Sequence, residues 1–270
     1  MTLTNKARKV LRKRLSPEAY QYYKTCLWNY RYYAPRKVRS IFTRHFPTVY
    51  GPASRLSDVI SAVNVFAPTK LCRVMTRYGS DKGSGWHNYT TIYSALFRNL
   101  KDSPVRVFEL GLGTDDPGLV SSMRMHGRPG GSLRGWRDHF TSSLVFGADI
   151  DRNCLFEENR IQTFYCDQID AKAIADLWAQ PALQGGMDII IDDGLHTVEG
   201  NVSFINGSLQ HLRPNGIYVV EDILNTAFER WIELLPTYIE RFPEFDFVLV
   251  RLPNPPNDYD NNMLIVQRKH

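Results

Sequence analysis

The chain has 270 residues, a formal net charge of +5, 43% hydrophobic residues and 23% charged residues. That length suits one full α/β domain with a modest extension and is too short for two large domains; the composition is globular and excludes global disorder or a fibrous chain. No run approaches the roughly 20 apolar residues that a membrane-spanning helix needs, and the basic N-terminus lacks the apolar stretch of a signal peptide. Cys26, Cys72, Cys154 and Cys166 show no C-x-x-C spacing, so they read as reduced thiols of a cytoplasmic protein.

Residues 1–46 carry twelve Lys/Arg against one acid, Glu18, which is +11 and leaves −6 for the rest. Ser16-Pro17-Glu18 is a good helix start, and seven of the fourteen tyrosines fall in the first 50 residues. Residues 1–70 are therefore expected to form a basic, aromatic-rich helical extension. Its aromatics have area to bury against the main domain or a second copy of the chain, which favours a homo-oligomer. Its charge also suits peripheral contact with an anionic membrane surface. Residues 71–103 form a lead-in in which 79–85 is a glycine-rich loop, and 78–87, with Tyr78 and Lys82, is expected to close over a site as a lid.

From residue 104 onward, short apolar runs alternate with helical patterns, as parallel strands joined by crossover helices do. Strands are expected at 105–110, 144–149, 162–166, 188–192 and 216–220, and helices at 133–140, 171–178, 197–212 and 226–238. Two further strands, 245–251 and 263–268, flank a Pro/Asn-rich loop too short for a helix. Residues 104–270 should thus fold as a mostly parallel, seven-stranded α/β sheet closed by an antiparallel hairpin.

The chemistry gathers at the ends of these strands. Glu109-Leu110-Gly111-Leu112-Gly113 follows the first, where glycines let the backbone approach a ligand. A dinucleotide fingerprint needs glycine at 116, but the chain has Asp116, and Asp115 and Asp116 would repel phosphates. The second strand ends at Asp149-Ile150-Asp151, a place from which an acid receives ribose hydroxyls. The third ends at Cys166-Asp167-Gln168, suited to an adenine amino group. Together these imply an adenosine ligand without phosphates; S-adenosylmethionine fits, and its sulfonium suits the acidic loop. Asp192-Asp193-Gly194-Leu195-His196 after the fourth strand and Glu221-Asp222 after the fifth share one sheet edge, so up to four carboxylates meet an imidazole. Such crowding is unfavourable without a cation, and hard oxygen ligands point to Mg²⁺ or a similar ion. The plainer alternative is that these acids cap helices and bind loop amides, with His196 a helix-start residue.

Taken in order, Tyr78-Gly79-Ser80-Asp81-Lys82, Val107-Phe108-Glu109-Leu110-Gly111, Gly131-Ser132-Leu133-Arg134-Gly135-Trp136, Gly147-Ala148-Asp149-Ile150, Asp167-Gln168, Ile191-Asp192-Asp193-Gly194-Leu195-His196 and Tyr218-Val219-Val220-Glu221-Asp222 carry a resemblance. From about 78 to 223 the chain resembles the metal-dependent sugar O-methyltransferases of macrolide and related natural-product pathways. The resemblance implies a Rossmann-like class I methyltransferase fold with S-adenosylmethionine and Mg²⁺ as cofactors. It implies that Glu109, Gly111, Gly113, Asp149, Ile150, Asp167, Gln168 and Asp192 surround the former, that Asp193, Glu221 and Asp222 hold the latter, and that His196 is the base. Leu195 stands where the family usually has Ser, and residues 1–70 do not match the family's N-terminal part.

Methyl transfer from a sulfonium requires an oxygen with developed negative charge, and a sugar hydroxyl is a poor nucleophile at neutral pH. Metal coordination lowers its pKa, after which His196 can take the proton. The expected function is O-methylation of a sugar hydroxyl in a glycosylated natural product or glycan, with non-sugar small molecules as the alternative. A nucleic-acid amino-methyltransferase is the rival class, suggested by the basic N-terminus and Asn254-Pro255-Pro256-Asn257. Those enzymes resemble one another in an Asp/Asn-Pro-Pro-aromatic motif at the fourth strand's end, where this chain has Asp192-Asp193-Gly194. A non-catalytic binding module on the same fold is disfavoured because glycines, acids and histidine all remain.

Overall fold

The computed structural model describes residues 45–83, 86–119, 128–253 and 257–270. The helix start at Ser16, the tyrosine-rich run, residues 84–85 of the glycine loop and Asn254-Pro255-Pro256 lie outside the described residues. In chain order the strands are β1 (Thr48–Tyr50), β2 (Arg106–Leu110), β3 (Leu144–Asp149), β4 (Glu157–Glu158), β5 (Ile161–Tyr165), β6 (Met187–Asp192), β7 (Leu212–Val220), β8 (Phe245–Arg251) and β9 (Asn262–Arg268). The described helices are α1 (Arg55–Ser61), α2 (Lys70–Tyr78), α3 (Tyr89–Leu96), α4 (Gly131–His139), α5 (Ala171–Trp178), α6 (Val198–Ser208) and α7 (Phe228–Arg241).

The seven expected strands are present, and two short ones join them in a nine-stranded sheet of order β1-β8-β9-β7-β6-β2-β3-β5-β4. β1 and β4 pair antiparallel with β8 and β5. The count of seven is corrected to nine because a three-residue strand and the pair Glu157-Glu158 are too short to show alternation in sequence. Within the seven, β9 alone is reversed, lying antiparallel between β7 and β8. The helix expected over 197–212 stops at Ser208, one 3₁₀ turn follows over Leu209–His211, and β7 begins at Leu212.

Successive strand residues face opposite sides, and the core divides accordingly. Val107, Val145, Ile189 and Ile191 pack with Leu71, Met75, Tyr93 and Trp136 from α2, α3 and α4. Phe108, Phe146, Ile190 and Tyr218 pack with Ile174, Phe204 and Trp231 from α5, α6 and α7. Both faces of the parallel strands are therefore covered, which is why those strands read as unbroken apolar runs.

Register decides where the site forms. Leu110 lies opposite both Ala148 and Asp192, Asp149 opposite Tyr165, and Asp192 opposite Val220. Residues 111, 150, 166, 193 and 221 consequently leave the sheet along one line. Among the described residues no helix is long and apolar enough to cross a membrane.

The loop that faces this line is launched by α2. Thr69 Oγ1 accepts from the Cys72 amide (3.1 Å), satisfying one of the helix's free donors, and Gly79 ends the helix at φ +80°. Thr69→Ala should lower stability by about 1 kcal/mol, the usual cost of losing such a cap; urea denaturation of the variant measures it.

Candidate active site

A cavity of about 260 Å³ opens along the line of strand ends. Gly111, Gly113 and Thr114 wall it after β2, Asp149 and Ile150 at the end of β3, and Asp167 and Gln168 after β5; Asp193, His196 and Asp222 face it after β6 and β7, and Ser80, Asp81 and Lys82 after α2. Gly111 has φ +89°, and a Cβ there would lie 1.9 Å from the Asp193 carbonyl oxygen. Glycine is thus demanded by the β6 loop crossing it, in addition to any ligand.

Asp149 spans the glycine turn. Its Oδ2 accepts from the Leu112 amide (2.7 Å) and its Oδ1 from the Asp151 amide (2.9 Å). Burial raises its pKa, and these amide bonds oppose the shift. Gln168 has both ends engaged: Nε2 donates to Asp192 Oδ1 (2.7 Å), and Oε1 accepts from the Leu195 amide (2.7 Å). Asp192 and Glu109 do not reach the cavity wall. Asp192 is wholly buried and also accepts from Asn201 Nδ2 (3.0 Å) and the Tyr218 hydroxyl (3.3 Å); burial pushes its pKa up to about 6. Glu109 accepts from Trp136 Nε1 (2.6 Å) and from the Ser132 hydroxyl.

The charged cluster has Lys82 at its centre. This side chain is buried, with Nζ 2.5 Å from Asp193 Oδ2, against Glu221 Oε2 and 3.6 Å from Glu109 Oε1. The Tyr93 hydroxyl donates to Glu221 Oε1, and the Tyr89 hydroxyl donates to Asp222 Oδ1 (2.8 Å). His196 Nε2 is 3.2 Å from Asp193 Oδ1 and 3.9 Å from Asp222 Oδ2. A second imidazole, His87, stacks on Tyr89 at 4.6 Å with Nδ1 3.6 Å from Asp222 Oδ1. His196 and Asp222 hold φ values of +59° and +53°, a region that costs a side-chain-bearing residue energy and is common where a site fixes its groups.

Burial disfavours charge throughout this cluster, and partners decide each outcome. Burial works against Asp193 as well, but Lys82 and His196 hold it well below the ordinary carboxylate range. Burial drives Glu221 well above that range, with Lys82 opposing and Asp193 and Glu109 adding to the shift. Burial favours neutral His196, yet its bond to Asp193 and the charges of Asp222, Asp193 and Asp192 push it up to about 10. Those carboxylate charges thus favour the protonated ring.

Ligating atoms of Asp193, His196 and Asp222 lie within 4.8 Å of one another. Hard oxygen donors in excess of the nearby positive charge fit a Mg²⁺-class ion, and no thiolate is among them. Glu221 stands just behind this trio, with its two oxygens on Lys82 and Tyr93. Tyr78 lies off the wall; its hydroxyl donates to Asp138 and accepts from Arg137 Nη2 (3.3 Å), fastening α2 to α4. Sequence reasoning placed Lys82 in a lid and passed over Tyr89 and Tyr93. The only available signal for the tyrosines was their i,i+4 spacing, which puts them on one helix face.

Gly111→Ala should be strongly destabilising, by about 2 kcal/mol or more, since it combines a forbidden φ with a backbone clash. Its melting temperature should fall well below that of the parent.

No protein-family model matches the chain. It is 33% identical over 181 residues to demethylmacrocin O-methyltransferase of Streptomyces fradiae, covering 67% of this chain and 43% of that protein. It is 38% identical over 154 residues to 8-demethyl-8-alpha-L-rhamnosyl tetracenomycin-C 2'-O-methyltransferase of Streptomyces olivaceus (57% and 37% coverage), and 32% identical over 153 residues to mycinamicin VI 2''-O-methyltransferase of Micromonospora griseorubida (57% and 36%). The chain therefore spans less than half the length of these curated relatives. Among solved structures, MycE methyltransferase from the mycinamycin pathway, in complex with Mg and SAH, matches with a TM-score of 0.58 at 26% identity over 76% of this chain and 56% of that one. Over that span the chain has the Rossmann-like fold of class I methyltransferases, and in sequence it is related to the sugar O-methyltransferases of the macrolide and tetracenomycin type.

Proposed function

We propose that the chain is an S-adenosylmethionine-dependent, divalent-metal-assisted O-methyltransferase acting on a sugar hydroxyl of a glycosylated small molecule. One observation carries the reading: Asp193, His196 and Asp222 open into the same cavity as the glycine turn, Asp149 and Gln168. An adenosine-recognising wall and a cation-seeking wall thus face one space of molecular size. The names of the relatives, each a sugar or macrolide O-methyltransferase, and the Mg and SAH held by MycE support it.

When bound, the methyl donor would supply the electrophile and the divalent ion the acidity that lowers the hydroxyl's pKa. Asp149 would receive the ribose hydroxyls, and Ile150, Asp167 and Gln168 would border the adenine. Gly111 and Gly113 leave room for the rest of the donor. Glu109 and Asp192 act through other groups, Glu109 by bracing Lys82 and Trp136, Asp192 by fixing Gln168 and the β6 loop. Asp193, Glu221 and Asp222 would hold the ion, and His196, beside Asp193, would take the proton. Ser80, Asp81 and Lys82 would cover the site as the inner face of a lid. The lead-in over 71–103 would belong with the catalytic domain of 104–270, and residues 1–46 would serve a homo-oligomer contact or a peripheral anionic membrane surface. A cytoplasmic setting fits the free thiols of Cys72, Cys154 and Cys166.

The protein incubated with methyl-labelled S-adenosylmethionine and a panel of glycosylated macrolides and aromatic polyketides should yield a product heavier by one methyl in mass spectrometry. Excess chelator should abolish turnover, and Mg²⁺ should restore it; full turnover under chelation would defeat the metal assignment. Asp149→Ala should weaken binding of S-adenosylhomocysteine by about tenfold, or 1.4 kcal/mol, in calorimetry.

A further inference from the structure

Both carboxylate oxygens of Glu221 are occupied, Oε1 by the Tyr93 hydroxyl and Oε2 by the Lys82 ammonium. These partners belong to different elements. Tyr93 is fully buried in α3, stacked on Phe97 at 5.3 Å and edge-on to Trp136 at 5.4 Å. Lys82 belongs to the loop after α2, whose carbonyls at Asp81 and Lys82 receive the amides of His87 (3.1 Å) and Thr90 (3.1 Å). In the metal reading above, the ion would draw on Asp193 and Glu221 together, in the ground between their carboxylates. Lys82 Nζ already holds that ground, 2.5 Å from Asp193 Oδ2 and against Glu221 Oε2. Two cations cannot share it.

We propose that the Lys82 ammonium is the resident countercharge of the metal-free site and that a divalent cation binds by exchanging with it. The proposal rests on the metal reading above and adds a consequence for the cofactor. Ser80, Asp81 and Lys82 wall the same cavity as Asp149 and Gln168. Withdrawal of Lys82 therefore shifts a wall of the cofactor cavity, and ion occupancy is coupled to the placement of that loop. Four acids, Glu109, Asp193, Glu221 and Asp222, surround this place, so a site with neither cation would leave buried like charges unopposed. Lys82 would balance these acids until a divalent cation takes its place.

The test titrates Mg²⁺ calorimetrically into the full chain without acceptor, as the parent, Lys82→Met and Lys82→Arg, with thermal melts to check folding. Lys82→Met is expected to bind Mg²⁺ at least tenfold tighter than the parent, having no ammonium to displace, while Lys82→Arg binds no tighter than the parent. In the parent, saturating Mg²⁺ should speed hydrogen exchange at the amides of His87 and Thr90, whose acceptors move with Lys82. Equal or weaker Mg²⁺ binding by folded Lys82→Met, or unaltered exchange at both amides in the ion-bound parent, would overturn the exchange mechanism. Should Lys82→Met fail to fold, the parent's exchange result decides alone. A parent that binds no Mg²⁺ would remove the metal reading together with this one; Mg²⁺ binding without the Lys82 effects removes only this one.

Discussion

A single buried ammonium is the constraint around which this site is built. Taking an ion out of water costs several kcal/mol, and Lys82 is brought nearly fully inside because Glu109, Asp193 and Glu221 reach it from β2 and the loops after β6 and β7. The acids need it equally, since each would otherwise face like charges at close range. Tyr93, Trp136 and Ser132 complete the lone pairs that Lys82 leaves over. Helices α3 and α4 are thereby tied to the site by polar contacts as well as by their apolar faces.

The acids divide by the pleat of the strands that carry them. Glu109 lies between Phe108 and Leu110, both of which face α5–α7, so alternation turns it toward α2–α4, where Lys82 and Trp136 wait. Asp192 follows Ile191, which faces α2–α4, and is turned the opposite way toward Asn201 and Tyr218. Each is turned into a packed layer of the core, and neither lines the cavity. Acids just beyond a strand end, such as Asp193 and Asp222, escape the alternation and reach the opening.

That distinction explains how far the sequence could be read. Strands buried on both faces announce themselves as apolar runs, so β3 and β8 were legible to the residue, and glycines and acids after them marked the correct edge. A strand-end motif lists its acids without saying which are inside the pleat, so Glu109 and Asp192 looked like ligand contacts. Lys82 sat in a glycine-rich stretch whose composition speaks of exposure, and its burial depends on carboxylates 27 to 139 positions away. Long-range charge pairing leaves no local pattern. Gly111 was legible as a glycine but not for its reason, because the chain that crosses it, at Asp193, lies on a different loop.

Backbone conformation binds the two halves of the site together. His196 and Asp222 stand on different loops, yet both adopt left-handed φ, each of order 1 kcal/mol or more above a relaxed residue. Such conformations persist only where surroundings over-determine them. For Asp222 those surroundings are the Tyr89 hydroxyl, which donates to its carboxylate and accepts from its amide at 3.2 Å, and the neighbouring imidazole of His87. For His196 they are the short loop between Asp193, held by Lys82, and Leu195, whose amide is held by Gln168. Gln168 in turn hangs from Asp192. The wall assigned to adenosine and the imidazole assigned to proton transfer are thus joined through Gln168, which holds both Asp192 and the Leu195 amide next to His196.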